Sequence, residues 1–119
     1  MLEYLLYYNQ KETRKEIETM KMILNKCYGG FHLSDKAETM FAKVIGVDAE
    51  DFGYDFADDY RTHPSLIAIV EELGKEAYDD EVSELVVLEL SDNTTDWFVD
   101  EYDGYETVYY VVDGKIKRK

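Results

Sequence analysis

The sequence predicts a single α+β domain: an N-terminal strand, two helices and then an antiparallel β-meander, packed as two layers. Three observations predict this fold class. Apolar residues recur at helical spacing in two segments between residues 35 and 73. From residue 83 onward the apolar period changes to two, which is typical of strands. Two Asp-Gly pairs follow, and such pairs are strong signals for two-residue hairpin turns.

The chain has 119 residues and therefore has room for one hydrophobic core. We assign that core to residues 20–119 and interpret residues 1–19 as an N-terminal extension. Apolar residues at near-helical spacing predict a helix in the extension. The alternation of Tyr4, Leu6 and Tyr8 would fit a strand as well.

The domain is predicted to begin with a strand at residues 20–26, because Met22, Ile23 and Leu24 form an apolar run of strand length. A Gly-Gly corner follows. Ser34 is a suitable N-cap, so the first helix is expected from residue 35 to about residue 44.

An acidic and aromatic connection spans residues 47–61 and is long for a loop, so we expect a short helix around Ala57. Thr62 or His63 caps the second helix, with Pro64 at its first position and Gly74 as its stop. Strands are then predicted at residues 85–90, 97–102 and 105–112, with a polar loop at 91–96 and a short edge strand at 115–117.

Acidic residues dominate the middle of the chain. The sequence has 27 Asp and Glu against 13 Lys and Arg, a net charge of −14, and residues 31–106 alone carry 22 acidic and four basic side chains. Such a field repels nucleic acid and anionic membranes and attracts basic surfaces. If the carboxylates gather on one face, they are numerous enough to imitate a short DNA duplex. Otherwise the acidity only keeps the protein in solution.

The single cysteine, Cys27, has no partner for an intrachain disulfide, which favours a reducing compartment. No segment reaches the roughly 18 consecutive apolar residues of a membrane span. The first residues lack the basic leader and cleavage site of a secretory signal. We therefore expect a cytoplasmic protein that does not bind membranes.

The turn at Asp103-Gly104 predicts a hairpin register in which Glu101 lies directly opposite Glu106. Like charges in this position are unfavourable. A Lys or Arg from another protein would relieve the repulsion; alternatively, both carboxylates extend into water.

On the other face of this hairpin, Tyr102, Tyr105 and Tyr109 would form a partly exposed strip beside Asp100 and Asp103. This composition suits a surface that binds a basic protein, although a tyrosine stripe can also cover a core. The predicted partner-binding residues are Asp55, Asp58, Asp59, Asp100, Glu101, Tyr102, Asp103, Tyr105 and Glu106.

The Gly-Gly corner is an alternative site, because a glycine-rich turn between a strand and a helix commonly binds anions. Its candidate ligand-binding residues are Cys27, Gly29, Gly30, His32 and Ser34. The corner lacks a dinucleotide-binding or P-loop motif, so a tight turn beside a buried cysteine explains the same residues. A nucleophilic Cys27 with His32 or His63 as its base is a weaker alternative. No metal-ligand spacing is present, and we predict neither a metal nor a cofactor.

Three segments resemble a family of small bacteriophage-encoded proteins. They are Asn25-x-Cys27-Tyr28-Gly29-Gly30-Phe31-x-Leu33-Ser34, Arg61-x-x-Pro64-x-Leu66-Ile67-x-x-Val70-Glu71-Glu72-Leu73-Gly74, and Asp96-Trp97-x-Val99-x-Glu101-Tyr102-Asp103-Gly104-x-Glu106. Together they cover most of residues 20–106. The resemblance implies a viral origin and expression in a bacterial cytoplasm, and it carries over no catalytic residue.

The leading hypothesis is a small acidic, non-enzymatic phage protein that docks on the basic, nucleic-acid-binding surface of a host protein. A defence nuclease is the expected partner, as for an anti-CRISPR or other anti-defence protein that imitates DNA. The alternative is a protein that binds or processes a small ligand or nucleotide at residues 27–34. A third hypothesis is an assembly factor, and a homodimer is left open.

Overall fold

A computed structural model describes residues 19–119, with side chains from residue 20 onward, and it confirms the α+β class. The elements are strand β1 (Thr19–Asn25), helices α1 (Asp35–Ile45), α2 (Phe56–Tyr60) and α3 (Pro64–Leu73), and strands β2 (Leu85–Ser91), β3 (Thr94–Tyr102), β4 (Tyr105–Val112) and β5 (Lys115–Arg118). Short 3₁₀ turns lie at Ala49–Asp51 and Gly74–Ala77. The helix predicted for the N-terminal extension falls outside the described residues.

The predicted helix boundaries are confirmed by their caps. The Ser34 hydroxyl accepts a hydrogen bond from the first turn of α1, and Gly46 ends this helix in a left-handed conformation with φ of 75°. His63 caps α3 through Nδ1, with Pro64 at the first helical position. The short helix expected around Ala57 is α2.

The hairpin of β3 and β4 has the predicted register, from Trp97 opposite Tyr110 to Tyr102 opposite Tyr105. β3 begins at Thr94, so the polar loop predicted at 91–96 shrinks to a two-residue turn. β5 pairs with β4 as the expected edge strand, and the three strands form one sheet in the order β3-β4-β5.

β2 pairs with β1 rather than joining this meander, so the strands form two sheets. The reason lies in its composition. β2 is apolar on both faces, since Val86, Leu88 and Leu90 alternate with Leu85 and Val87. A ribbon of this kind must be covered on both sides.

Helices cover one face of the β1–β2 ribbon, where Ile23 packs with Phe41 and Leu66. The three-stranded sheet covers the other face, where Met22 packs with Val108. The split of the strands into two sheets therefore adds a layer to the two that were expected, with the ribbon in the centre.

The Gly-Gly corner after β1 packs directly on the tip of the β3–β4 hairpin. The Gly29 N–H donates to the Asp103 carbonyl at 3.1 Å. A Cβ at Gly104 would lie 2.3 Å from the Gly30 nitrogen, which no side chain can tolerate. Gly104 is therefore required by the close approach of two backbones, and Gly29 by the Val82 carbonyl, which would lie 2.4 Å from its Cβ.

Candidate partner-binding cleft

A buried ion pair joins the segment after α2 to the sheet. Arg61 is 2% exposed and Glu106, on β4, is 7% exposed. The two terminal nitrogens of Arg61 donate to the two carboxylate oxygens of Glu106, at 3.1 and 2.9 Å. A two-pronged, charge-assisted pair of this kind fixes the relative orientation of the elements that carry it.

The same two side chains hold β1 in place. Arg61 Nη1 donates to the Ile23 carbonyl at 3.0 Å, and the Ile23 N–H donates to the Arg61 carbonyl at 2.9 Å. The Asn25 N–H donates to Glu106 Oε1 at 2.8 Å. These backbone contacts satisfy polar atoms of both charged groups and so lower the cost of burying the pair, while Arg61 Nε is buried without a hydrogen-bond partner among the described residues.

Asn25 links the ion pair to the Gly-Gly corner. Its side-chain amide is buried and donates to the carbonyls of Cys27 and Gly104, both at 2.7 Å. Its oxygen accepts from the Glu84 N–H at 2.9 Å and from the Ser83 hydroxyl at 3.1 Å. The corner, the hairpin tip and the residues just before β2 are therefore all hydrogen-bonded to the side chain of Asn25.

Lys26 lies beside this network. Its ammonium donates to the carbonyl of Glu106 at 2.6 Å and stands 4.9 Å from the centre of the Tyr105 ring. Burial lowers the pKa of Lys26, against the attraction of the Glu106 carboxylate, which raises it.

An open cleft of about 690 Å³ has the ion pair at its base. Residues 30–33 of the corner form one wall, residues 52–58 form the second, and the β3–β4 hairpin forms the third. The aromatic side chains that line it are Phe31, Phe52, Tyr54 and Phe56. Tyr54 stands fully exposed at the rim.

Carboxylates outnumber cations in the lining of this cleft. Those that line it are Glu38, Asp58, Glu101 and Glu106. Among the described lining residues Arg61 is the one Lys or Arg, and Glu106 already neutralises it. Asp58 reaches Arg61 only at 3.4 Å and stays largely in water. A concave site with this imbalance concentrates negative potential and attracts cations.

The structure brings three of the predicted partner-binding residues to the cleft: two at its walls, one from α2 and one from the hairpin, and Glu106 at its base. Asp58 and Glu101 both line it. Asp55 and Asp59 are exposed near its α2 wall but do not line it. Glu101 also accepts the Gly104 N–H at 2.7 Å, which holds its carboxylate near the hairpin turn.

The remaining predicted hairpin residues face elsewhere. Asp100, Tyr102 and Tyr105 lie on the face of the sheet that points away from the ribbon, and Asp103 lies in the turn. Tyr105 stacks against Tyr28 of the corner, with ring centres 5.4 Å apart, which extends this aromatic strip.

Glu106 differs from the rest of the predicted set. It lies opposite Glu101 as expected, but the cation that relieves the repulsion is Arg61 of this chain rather than a residue of another protein. Its carboxylate is buried and fully engaged, so it is not on a surface that a partner can reach. Only Glu101 extends toward water.

The alternative ligand-binding residues lie in the Gly-Gly corner, which connects β1 to α1 and borders the same cleft. Gly30 and His32 line it, and His32 contacts the Gly29 carbonyl at 3.2 Å. Ser34 caps α1 and also donates to the Glu76 carbonyl at 2.6 Å. Cys27 is a free, half-buried thiol. The His32 ring and the Ser34 hydroxyl are thus already hydrogen-bonded within the fold.

Sequence reasoning missed Arg61, Asn25 and Glu38 as parts of this site. One signal could have drawn attention to Arg61: residues 31–106 contain only four basic side chains, and Arg61 is the one arginine among them. Asn25 and Glu38 carry no such signal, because their roles depend on contacts between distant segments.

Within the described part of the chain, no group of three or more His, Cys, Asp or Glu side chains is arranged to hold a metal. None of the described helices is long and apolar enough to cross a membrane. Compared with known proteins, the chain matches no family model, no curated protein and no solved structure.

Proposed function

We propose that this protein is a non-enzymatic binding protein that docks its acidic cleft on a basic, nucleic-acid-binding surface of another protein. The observation that carries the proposal is the charge of the cleft. Glu38, Asp58 and Glu101 line it, and Arg61, the one Lys or Arg among the described lining residues, is already paired with Glu106 and lies 3.4 Å from Asp58.

The walls of the cleft suit a Lys or Arg side chain from the partner. A guanidinium or ammonium group that enters would meet carboxylates at the rim and the face of an aromatic ring such as Tyr54. Field focusing in a concave acidic site also accelerates the approach of a basic surface.

The size of the acidic surface supports imitation of nucleic acid. The described domain extends 39 Å along its longest axis. A DNA duplex of that length carries about 23 phosphate charges, at one per about 1.7 Å. Residues 31–106 hold 22 carboxylates, a number of the same size, but they are not on one face: Asp58 and Glu101 line the cleft, Asp100 lies on the opposite face of the sheet, and Glu106 is buried.

The partner we propose is a defence nuclease of a bacterial host, with this chain acting in the cytoplasm as a phage-encoded anti-defence inhibitor of the anti-CRISPR kind. This part of the proposal rests on the three segments that resemble phage proteins. The basic groove of a nuclease is the type of surface that an acidic, DNA-like protein would occlude.

A second candidate function is the binding of a small ligand in the same cleft. Its volume of about 690 Å³ is within the range of small-molecule sites. The excess of carboxylates disfavours a nucleotide and favours a neutral or cationic compound. Native mass spectrometry of the purified protein would detect such a ligand as a bound mass.

The test of the leading proposal uses tagged protein on a resin and bacterial lysate applied at low salt. The cleft variant reverses Glu38, Asp58 and Glu101 to Lys. A control variant reverses Glu72, Asp80 and Asp92 to Lys, which are exposed carboxylates outside the cleft, so its net charge is the same.

Wild-type and control proteins should retain a nucleic-acid-binding protein that added duplex DNA releases, and the cleft variant should not retain it. Equal retention by the cleft variant, or equal loss with the control, would show that the cleft is not the docking site.

A further inference from the structure

A strip of large apolar side chains lies exposed on the outer face of the three-stranded sheet, the face that points away from the β1–β2 ribbon. Phe98 is 61% exposed, Tyr102 is 77% exposed and Ile116 is 76% exposed. Phe98 stacks on Tyr109 with ring centres 5.2 Å apart. Apolar residues grouped in this way on an open sheet typically mark an interaction surface.

Charged residues are interspersed with this strip, since Asp96 and Asp100 alternate with Phe98 and Tyr102 along β3 and a basic residue lies beside Ile116 on β5. Asp96 and Asp100 lie on β3, and Arg118 lies on β5. The register places all three on the outer face, because Phe98 is opposite Tyr109 and Tyr109 is opposite Arg118. Within the described part of the chain, Asp100 and Arg118 have no side-chain partner.

We propose that this outer face is a self-association surface and that its occupant is a second copy of the chain. Two copies pack face to face about a two-fold axis parallel to β4. This operation places β3 of one copy over β5 of the other. Arg118 of each copy then lies over Phe98 and within reach of Asp100 in its partner. The basic residue of β5 therefore meets an acidic residue of β3.

The net charge of −14 does not prevent such an association. Charges separated by more than about 8 Å are largely screened at physiological ionic strength. The charges at the interface itself therefore determine whether two copies associate. Locally β5 contributes a basic residue, Arg118, to the outer face, whereas Lys115 and Lys117 lie on the inner face opposite Val112 and Tyr110. Raising the salt concentration should weaken the dimer, because the specific contacts between Arg118 and Asp100 are ionic.

The surface is small, which sets the expected affinity. Strands of nine, eight and four residues present a face on the order of 300 Å². A standard stable interface buries about 800 Å² per partner. We therefore expect a weak dimer that forms only at high protein concentration. The cleft opens on the opposite face of the hairpin and stays accessible in this arrangement.

The test exchanges charges across the proposed interface and measures mass by sedimentation equilibrium from about 5 to 500 µM protein. Asp100→Arg and Arg118→Asp should each raise the dissociation constant at least about tenfold, since each places like charges face to face. An equimolar mixture of the two variants should recover the wild-type affinity, because every pair in the mixed dimer is then complementary.

A second pair of variants tests the apolar strip. Phe98→Asp should give a monomer, and Tyr54→Asp, which changes an exposed aromatic residue far from the outer face, should dimerise like the wild type. Circular dichroism of each variant verifies that it is folded.

The proposal is overturned if the wild type stays monomeric up to 500 µM, or if the mixture of charge variants fails to associate. It is also overturned if Phe98→Asp dimerises like the wild type, since the strip would then not form the interface.

Discussion

The guanidinium of Arg61 and the carboxylate of Glu106 lie 45 residues apart in sequence and meet through two bonds of 2.9 and 3.1 Å at the base of the cleft. Glu106 also lies directly opposite Glu101 across the hairpin. The ion pair with Arg61 therefore gives the two facing carboxylates, Glu101 and Glu106, different roles. Glu106 holds the fold together, and Glu101 remains at the cleft with its charge unpaired.

Replacement of Glu106 by Gln should destabilise the domain by about 3–5 kcal/mol, because it leaves the buried Arg61 with only the exposed carboxylate of Asp58 as a counter-charge. Domains of this size are typically stable by about 5–15 kcal/mol, so the variant should be close to unfolding. Urea denaturation followed by circular dichroism measures the loss.

Glu101→Gln is the matched control, since it neutralises the opposite residue at an exposed position and should cost about 1 kcal/mol or less. Combining Arg61→Met with Glu106→Gln should cost less than the sum of the two single changes. Equal losses for Glu106→Gln and Glu101→Gln would contradict the assigned roles.

Gly104→Ala should be much more damaging than Gly114→Ala. Both glycines follow an aspartate in a hairpin turn and have positive φ, 89° and 75°. Each alanine should therefore cost about 1–2 kcal/mol in backbone strain. At Gly104 the added Cβ would also collide with the Gly30 nitrogen, which should cost about 1–3 kcal/mol more, whereas at Gly114 no atom lies within 4 Å.

Thermal denaturation of the two variants measures this difference directly. Similar melting temperatures would mean that the corner and the hairpin tip are not packed against each other.

Lys26 should make the stability of the protein depend on alkaline pH. Its pKa is lowered in the folded state by burial, and its unfolded value is 10.5. Between the folded pKa and 10.5 the unfolded chain binds more protons, so the contribution of Lys26 to the free energy of unfolding rises with pH in that window. Below the folded pKa the contribution is constant.

Comparison with Lys26→Met isolates this effect from the titration of the tyrosines. Urea denaturation of both proteins at a series of pH values should show the free energy of unfolding of the wild type rising relative to that of Lys26→Met as pH approaches 10.5. A relative loss over the same range would mean that attraction to Glu106 outweighs burial.

Local signals were sufficient for most of the elements. Ser34, Gly46 and Pro64 set helix ends through their own side chains or backbone angles, so the boundaries follow from residue type. The turn at Asp103-Gly104 fixes the hairpin register, so the opposition of Glu101 and Glu106 follows from the sequence alone.

Long-range contacts account for what was not predicted. Any basic side chain of the chain could have met Glu106, and the choice of Arg61 depends on how α2 packs against β1. The pairing of β2 with β1 likewise depends on the need to cover an apolar ribbon on both faces. The two sites predicted separately, at the corner and at the hairpin, meet in one cleft for the same reason.

The central claim is that the acidic cleft occupies the nucleic-acid-binding surface of a basic partner. The most direct test is displacement of a fluorescent DNA duplex from the purified partner, followed by anisotropy. Wild-type protein and the Glu72, Asp80 and Asp92 charge-reversal control should displace the duplex at similar concentrations. The Glu38, Asp58 and Glu101 variant should need at least about tenfold more protein. Equal displacement by both variants, or binding of wild-type protein that leaves the duplex in place, would contradict the claim.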